Sequence, residues 1–237
     1  MSACRKLSRV SCRDDLVKAI DQRAFLPFFH QDGIVSLEDL AAPEIWFTEQ
    51  EGPWEWKASL SREKKCVYGK YAYGSAVFVA PDVFPELIRI RRDGYDFEGM
   101  WEDGLISRTA GDIMRTVMNE GPSIAKHIRR KLGNPKDFDH ELVRLQMLTF
   151  LVHADFIYDI DRHGHPYGWG NALLDTPEHF FGEDYVNQAD SHSSEEAVLN
   201  LCSRMGEDSP AIRAMLMGKR TKKRVPTEQH RADDDPI

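Results

Sequence analysis

The chain has 237 residues, of which 41% are hydrophobic and 30% charged, and its formal net charge is −8. This length and composition allow a sizeable core in one large or two small domains. The negative charge counts against a protein that coats nucleic acid non-specifically, because lysine and arginine supply most of that affinity.

The sequence carries no signal for a membrane or an oxidising compartment. No stretch approaches the roughly 20 apolar residues that span a bilayer, and Met1–Lys6 lacks the apolar segment of a secretory signal. The four cysteines are scattered and form no CxxC pair, which predicts reduced thiols rather than disulfides or zinc. We therefore expect a cytoplasmic protein with no membrane partner, no metal and no cofactor.

The first part of the chain is predicted to be a flexible N-terminus, residues 1–11, followed by a helical and β-meander region, residues 12–104. Apolar periodicity predicts helices at 14–22 and 36–42, on either side of a buried apolar run. Alternation of residues then predicts a small antiparallel meander. Its three strands are expected at 54–60, 65–71 and 75–80. A further helix is expected to open at Pro81 and end near Gly94.

Aromatic and basic side chains alternate within the predicted meander. Trp54, Trp56, Lys57 and Lys70 are candidates for a surface that stacks an unpaired base and contacts phosphate. Aromatic residues in strands also serve as ordinary packing residues, so that alternative stays open.

Residues 105–186 have the pattern of a winged helix-turn-helix, because helical periodicity changes to strand periodicity near Ala154. Three helices are predicted at 108–118, 123–132 and 139–153. A β-hairpin over 156–174 follows, with its turn at 162–166 and Trp169 in the returning strand.

The third predicted helix carries three polar residues at spacings of three and four. Gln146, Thr149 and His153 would share one narrow stripe of a helix that is otherwise apolar. One interpretation is that the stripe touches a neighbouring loop and His153 is a satisfied core residue. The other is a polar site on an apolar wall.

Basic residues cluster in the second helix of this unit. Residues 121–136 contain no carboxylate, whereas residues 163–203 contain no lysine or arginine. One face is therefore expected to contact DNA phosphates, although a solvated charged helix surface is an equally simple reading. The predicted DNA contacts are Lys126, Arg129, Arg130, Lys131, Arg144, Arg162 and His163.

The C-terminal part is predicted to form a helical cap, residues 187–218, followed by a disordered tail, residues 219–237. Helices are expected near 195–205 and 210–217. The fold class is thus α+β, with winged helix-turn-helix elements, a small antiparallel β-meander and a helical C-terminal cap.

Six short motifs occur in the order of a known family. The chain resembles the bacterial AlkZ-related proteins from about residue 12 to residue 186. The resemblance implies tandem winged-helix elements and recognition of damaged DNA. The motifs are Ala24-Phe25-Leu26-Pro27-Phe28-Phe29, Gly52-Pro53-Trp54-Glu55-Trp56-Lys57, Tyr68-Gly69-Lys70, Arg91-Arg92-Asp93-Gly94-Tyr95-Asp96-Phe97, Leu145-Gln146-Met147 and Tyr167-Gly168-Trp169.

The glycosylases that lend the family its name are associated with a Gln-apolar-Gln or Gln-apolar-Asp pair. Here Gln146-Met147-Leu148 lacks the second polar member, and Gln188-Ala189-Asp190 lies in a predicted loop. Activating water while charge develops on the sugar needs two groups, and one amide is a weak base. Gln146, His153 and Asp96 are the catalytic candidates, although helix capping or pairing with Arg91 or Arg92 is the alternative for Asp96.

Three functions therefore remain in competition. A DNA-binding protein, with duplex or damaged DNA as partner, requires the basic second helix and the wing to share a face. A monofunctional DNA glycosylase also requires a pocket near Gln146 and His153 that admits a flipped base. A protein-interaction module would instead expose an apolar patch.

Overall fold

The computed structural model describes residues 9–31, 33–47 and 51–218. Within this range it is a mixed α+β structure with two antiparallel three-stranded sheets. The predicted disordered tail lies outside the described residues, as do most of the predicted flexible N-terminus and the side chain of Trp169. None of the helices in the described part of the chain has the length and apolar content needed to cross a bilayer.

The first sheet has β3 at its centre, with β1 and β2 antiparallel on either side. The predicted strands at 65–71 and 75–80 are confirmed as β2 and β3, and the third strand comes from the apolar run at 25–27. The elements are α1 (Arg13–Arg23), β1 (Phe25–Pro27), α2 (Leu37–Leu40), a 3-10 turn (Pro43–Ile45), α3 (Pro53–Arg62), β2 (Val67–Ala72), β3 (Ser75–Val79), a 3-10 turn (Pro81–Val83) and α4 (Phe84–Arg92).

The predicted strand at 54–60 is wrong, because this stretch is the helix α3. Pro53 stands in its first turn, and the Glu55 carboxylate accepts the Gly52 N–H at 2.9 Å, both signals of a helix start. The buried face includes Trp56 and Leu60, which are four residues apart. Residues four apart lie on the same face of a strand, but they also lie on the same face of a helix.

The central part of the chain forms the second sheet, in which β6 lies between β4 and β5. The predicted helix at 123–132 begins later than expected, because Ser123–Ile124 is a short strand paired with Leu173 and Leu174. The elements are α5 (Phe97–Glu102), α6 (Arg108–Glu120), β4 (Ser123–Ile124), α7 (Ala125–Lys131), α8 (Phe138–Met147), β5 (Val152–Ile160) and β6 (Pro166–Asp175).

The C-terminal elements return to the first sheet and complete its core. The helices predicted near 195–205 and 210–217 are confirmed as α11 and α12, which both pack against α4. The remaining elements are α9 (Pro177–Phe181), α10 (Glu183–Val186), a 3-10 turn (Asn187–Ser191), α11 (Ser194–Met205) and α12 (Pro210–Leu216).

Two clusters of buried apolar side chains hold the fold together. The first, which we call the sheet core, joins residues 10–90 to residues 186–216 and includes Val152 and Phe156 of β5. The second, which we call the helix core, lies within residues 97–151 and adds Leu174. The end of α8 and the start of β5 lie where the two cores meet.

Candidate functional site

The predicted third helix is shorter than expected, since α8 ends at Met147 and His153 stands in β5. Thr149 has a φ of 63°, which reverses the chain after the helix. Its N–H donates to the Gln146 carbonyl at 2.8 Å, and the Phe150 N–H donates to the Leu145 carbonyl at 2.9 Å. The residue that ends a helix in this way is usually a glycine. Because threonine occupies the position here, the sequence pattern did not indicate the helix end.

The reversal nevertheless brings Gln146 and His153 together. Gln146 Oε1 accepts the backbone N–H of Lys70 at 3.1 Å and lies 2.9 Å from His153 Nε2. Its amide Nε2 donates to the Leu142 carbonyl at 3.3 Å. The side chain is 2% exposed, and both ends of its amide are engaged. The Gln146 side chain therefore links α8 to β2 and β5 through hydrogen bonds.

His153 is buried, and one of its ring nitrogens has no partner in the described part of the chain. Since the Lys70 N–H fixes Gln146 Oε1 as an acceptor, His153 Nε2 carries the proton and donates to it. His153 Nδ1 is then a buried lone pair with no hydrogen-bond partner among the described residues. Burial, followed by the charges of Lys70 and Lys57, lowers the pKa of His153 to about 3. The ring is neutral at physiological pH.

Lys57 lies beside the same histidine, although its predicted position was on a strand. Its side chain is buried on α3, with Nζ 4.6 Å from the Phe156 ring centroid and 5.0 Å from that of Trp54. The Phe156 ring is in turn 5.4 Å from the His153 ring. Burial lowers the pKa of Lys57, partly opposed by Glu55. Lysine is seldom buried without a partner.

The structure thus joins two sets of residues that the sequence presented separately. Gln146 and His153 were catalytic candidates, whereas Lys57, Lys70 and Trp54 were candidates for base or phosphate contacts. We call these five residues, with Tyr68 and Phe156, the junction cluster. Tyr68, which stands in the Tyr-Gly-Lys motif, lies 5.5 Å from His153 between ring centroids.

The two tryptophans have different surroundings. Trp56 is 6% exposed and belongs to the sheet core. Trp54 is half-buried and borders a cavity of about 270 Å³ together with Glu55, Tyr158 and Gly168. Of the two, Trp54 is therefore the one placed to meet a ligand.

Asp96 lies outside the junction cluster and caps α5. Its Oδ1 accepts the Gly99 N–H at 2.7 Å, which confirms capping rather than pairing with the arginines. Arg92 instead pairs with Glu178 at 2.5 Å. Asp96, Arg89 and Glu178 also border a second cavity, of about 240 Å³.

The predicted DNA-contacting residues are exposed in the main but largely paired with carboxylates. Lys126 pairs with Asp159 at 3.3 Å, Arg129 with Asp139 and Lys131 with Glu120. The pairing carboxylates come from α6, α8 and β5, which flank the stretch without carboxylates. Folding therefore offsets much of the local positive charge that the sequence shows.

The other predicted contacts differ from one another. Arg144 pairs with Glu141 at 3.3 Å and donates to the Leu105 carbonyl at 2.6 Å. Arg130 and Arg162 are exposed and make no ion pair in the described part of the chain. Arg162 Nε donates to Nε2 of its neighbour His163 at 3.0 Å at the hairpin tip. Arg130 and Arg162 keep their charge available.

Comparison with known families decides where the chain belongs. The family described as AlkZ related matches residues 10–219. The chain belongs to the AlkZ-related family. No curated protein and no solved structure matches it.

In this AlkZ-related protein, the Arg91-Arg92 motif is structural. Arg91 is 7% exposed and donates to four carbonyls, those of Tyr71 (2.7 Å), Met147 (3.0 Å), Met215 (2.8 Å) and Leu216 (2.5 Å). Arg92 donates to the Thr149 carbonyl at 2.8 Å and to its hydroxyl at 3.3 Å. The two arginines stabilise the chain reversal that positions the junction cluster.

Proposed function

We propose that residues 106–175 are a winged helix that binds DNA. The observation that carries this proposal is the order of elements, in which α6, β4, α7 and α8 precede a hairpin, together with the sheet order β4-β6-β5. A helix-turn-helix followed by such a hairpin is a scaffold for DNA contacts. Membership of the AlkZ-related family supports a role connected with DNA repair.

A contact between the basic helix and the hairpin supports the common face that this proposal requires. The ion pair between Lys126 of α7 and Asp159 of β5 places the basic helix beside the hairpin. Arg130, Lys136 and Arg162 are exposed and make no ion pair in the described part of the chain. These residues are the proposed phosphate contacts.

The third helix of the unit, α8, is partly covered. Leu142, Leu145 and Gln146 are buried, and the helix also packs against β2. Few of its side chains are therefore free to read base edges, and contacts to phosphates position a protein without selecting sequence. We accordingly propose weak binding with little sequence preference.

The charge layout sets the expected salt dependence. Three phosphate contacts give a slope of log affinity against log salt of about −3. The ion pairs of Lys126, Arg129 and Lys131 are exposed, and such pairs contribute only about 0–1 kcal/mol. Replacing these carboxylate partners by DNA phosphates therefore costs little free energy.

Two variants with opposite expected effects test the proposal. Arg130→Ala should weaken binding to every duplex by a similar factor and reduce the salt slope by about 1. Asp159→Asn should strengthen binding, because it frees Lys126 and removes a negative charge from the same face. Lys18→Ala, on the exposed side of α1, is the control and should bind like the parent. The measurement is fluorescence anisotropy with a labelled duplex at several salt concentrations; equal affinities for all four proteins would contradict the proposal.

Base excision is the alternative, and the surroundings of Gln146 argue against it. Its amide is buried and already bonded at both ends, so it is poorly placed to orient water. Leu148 supplies no second polar group, and Asp190 pairs with Arg89 at 3.5 Å. We expect weak or no base release from alkylated duplexes in single-turnover assays; fast release that Gln146→Ala abolishes would restore the glycosylase hypothesis. The interaction-module hypothesis stays a prediction.

A further inference from the structure

We propose that Lys57 is an amine nucleophile that forms a Schiff base with an aldehyde, and that this aldehyde is C1′ of an abasic deoxyribose in DNA. The substrate class rests on the proposed DNA binding. The amine chemistry rests on the junction cluster and can be tested without DNA.

The surroundings of Lys57 are unusual for a structural lysine. The residue is 5% exposed, and its amine contacts the rings of Trp54 and Phe156. No hydrogen bond or ion pair holds it among the residues that the structure describes. Burying an ammonium group without a partner is unfavourable, so burial lowers its pKa and increases the neutral fraction. A desolvated lysine of this kind is a recognised amine nucleophile toward carbonyl groups.

His153 provides the second, independent observation. Its Nδ1 lone pair is buried without a partner among the described residues, which is unfavourable in a folded protein. A neutral imidazole lone pair can accept a proton during a reaction. Lys57 and His153 contact the same ring, that of Phe156. A free amine and a free proton acceptor therefore occupy one cluster.

The cluster has a route to the surface. Trp54, whose ring contacts the Lys57 amine, also borders the cavity of about 270 Å³ that includes Tyr158 of β5. A flat aromatic ring beside an opening can stack on a neighbouring base. An abasic sugar brings no base of its own, so it is the smallest damaged nucleotide that could enter.

The bond changes balance without a further reactant. The lone pair of Lys57 Nζ attacks the aldehyde carbon, and the C=O π electrons move to oxygen. Transfer of a proton from nitrogen to oxygen gives a carbinolamine. Its hydroxyl group then takes up a proton and leaves as water, and the nitrogen lone pair forms the C=N bond. The reaction class that supplies this substrate is hydrolysis of an N-glycosidic bond, since that hydrolysis leaves a hemiacetal at C1′ whose ring opens to the aldehyde.

Borohydride trapping on the full chain is the first experiment. A labelled duplex with one abasic site is mixed with protein and borohydride, and the covalent protein–DNA adduct is quantified. We expect an adduct with the parent and a loss of at least about tenfold with Lys57→Arg or Lys57→Met. Lys18→Arg, at an exposed lysine of α1 outside the junction cluster, is the matched control and should keep the adduct. No adduct with the parent, or an adduct that survives both Lys57 variants, would overturn the proposal.

The same duplex separates this proposal from the proposed function. Anisotropy that shows binding without an adduct contradicts the Schiff base alone, whereas absence of binding contradicts the DNA-binding proposal. Reductive methylation with ¹³C-formaldehyde and cyanoborohydride then probes the amine directly. We expect an NMR signal that Lys57→Arg removes and that titrates below the signals of exposed lysines. A Lys57 amine that is not methylated, or that titrates with them, would overturn the nucleophile itself.

Discussion

The helix core is built from residues that are close together in the sequence, whereas the sheet core is built from residues that are far apart in it. The helix core comes from one continuous segment, residues 97–151, and among the described residues takes only Leu174 from elsewhere. The sheet core joins residues 10–90 to residues 186–216, so its packing depends on contacts across most of the chain. Local periodicity is therefore enough to outline the first but not to assemble the second.

The groups that join the two cores are mainly polar. Gln146 bonds to β2 and β5, and Arg91 reaches carbonyls of β2, α8 and α12. Buried polar groups of this kind are costly unless every one is satisfied. The boundary between the cores is consequently where single substitutions should have their largest effects.

Replacement of Arg91 should have the largest effect on stability. Arg91→Met removes a buried cation and leaves four carbonyls without their donor, so we expect the free energy of unfolding to fall by about 3–5 kcal/mol. Arg204→Met, at an exposed arginine of α11, is the control and should cost less than about 1 kcal/mol. Equilibrium denaturation measures both; a similar small loss for Arg91→Met would show that the boundary does not depend on it.

A pair of cavity variants tests whether the cores unfold together. Leu60→Ala in the sheet core and Leu145→Ala in the helix core should each cost about 2–5 kcal/mol, because both side chains are fully buried. Because hydrogen bonds join the two cores, each variant should lower the protection of slowly exchanging amides equally in β3 and α6. Hydrogen exchange read residue by residue provides the measurement. Loss of protection confined to the mutated core would show two independent folding units.

The same comparison explains which parts of the fold could be predicted. Three helices of the helix core, α6, α7 and α8, were identified from apolar spacing, apart from their ends, whereas α5 was not predicted. The end of α8 was missed because it depends on Thr149 in a left-handed conformation, which Arg92 stabilises from 57 positions away. In the sheet core, α3 was mistaken for a strand although Pro53 and Glu55 carry a helix-start signal.

The candidate site was predictable only in part, for the same reason. Gln146 and His153 were predicted to share one stripe of a single helix, which is wrong because α8 ends at Met147 and His153 stands in β5. A chain reversal brings the two side chains into contact instead. The arrival of Lys57 beside His153 requires α3 to pack against β5, a contact between elements about 100 residues apart. No local sequence pattern indicates a contact between elements so far apart, so the junction cluster as a whole could not be predicted.

His153 should give the sheet core a pH dependence of intermediate size. The unfolded chain binds a proton at this residue near pH 6.5, whereas burial keeps the folded ring neutral down to a pKa of about 3. Lowering the pH through this window therefore favours unfolding, by about 1.4 kcal/mol at pH 5.5 relative to pH 7.5. His153→Gln should remove this contribution. Denaturation midpoints of both proteins between pH 7.5 and 5.5 test it; parallel profiles would mean that the folded histidine is protonated normally.

The smallest expected effect concerns the exposed face of the helix core, where Lys126 and Asp159 form an ion pair with both side chains more than half exposed. Because such pairs are solvated and screened, a double-mutant cycle with Lys126→Ala and Asp159→Ala should give a coupling energy of about 0.2–1 kcal/mol. The coupling should fall toward zero at 1 M salt, where the screening length is about 3 Å. A matched cycle with Lys126→Ala and Asp161→Ala should give almost no coupling, since Asp161 lies in the hairpin turn and bonds to its own loop. Equal coupling in the two cycles would mean that Lys126 senses only the general negative charge of the hairpin, and that α7 and β5 do not share the defined face on which the DNA-binding proposal depends.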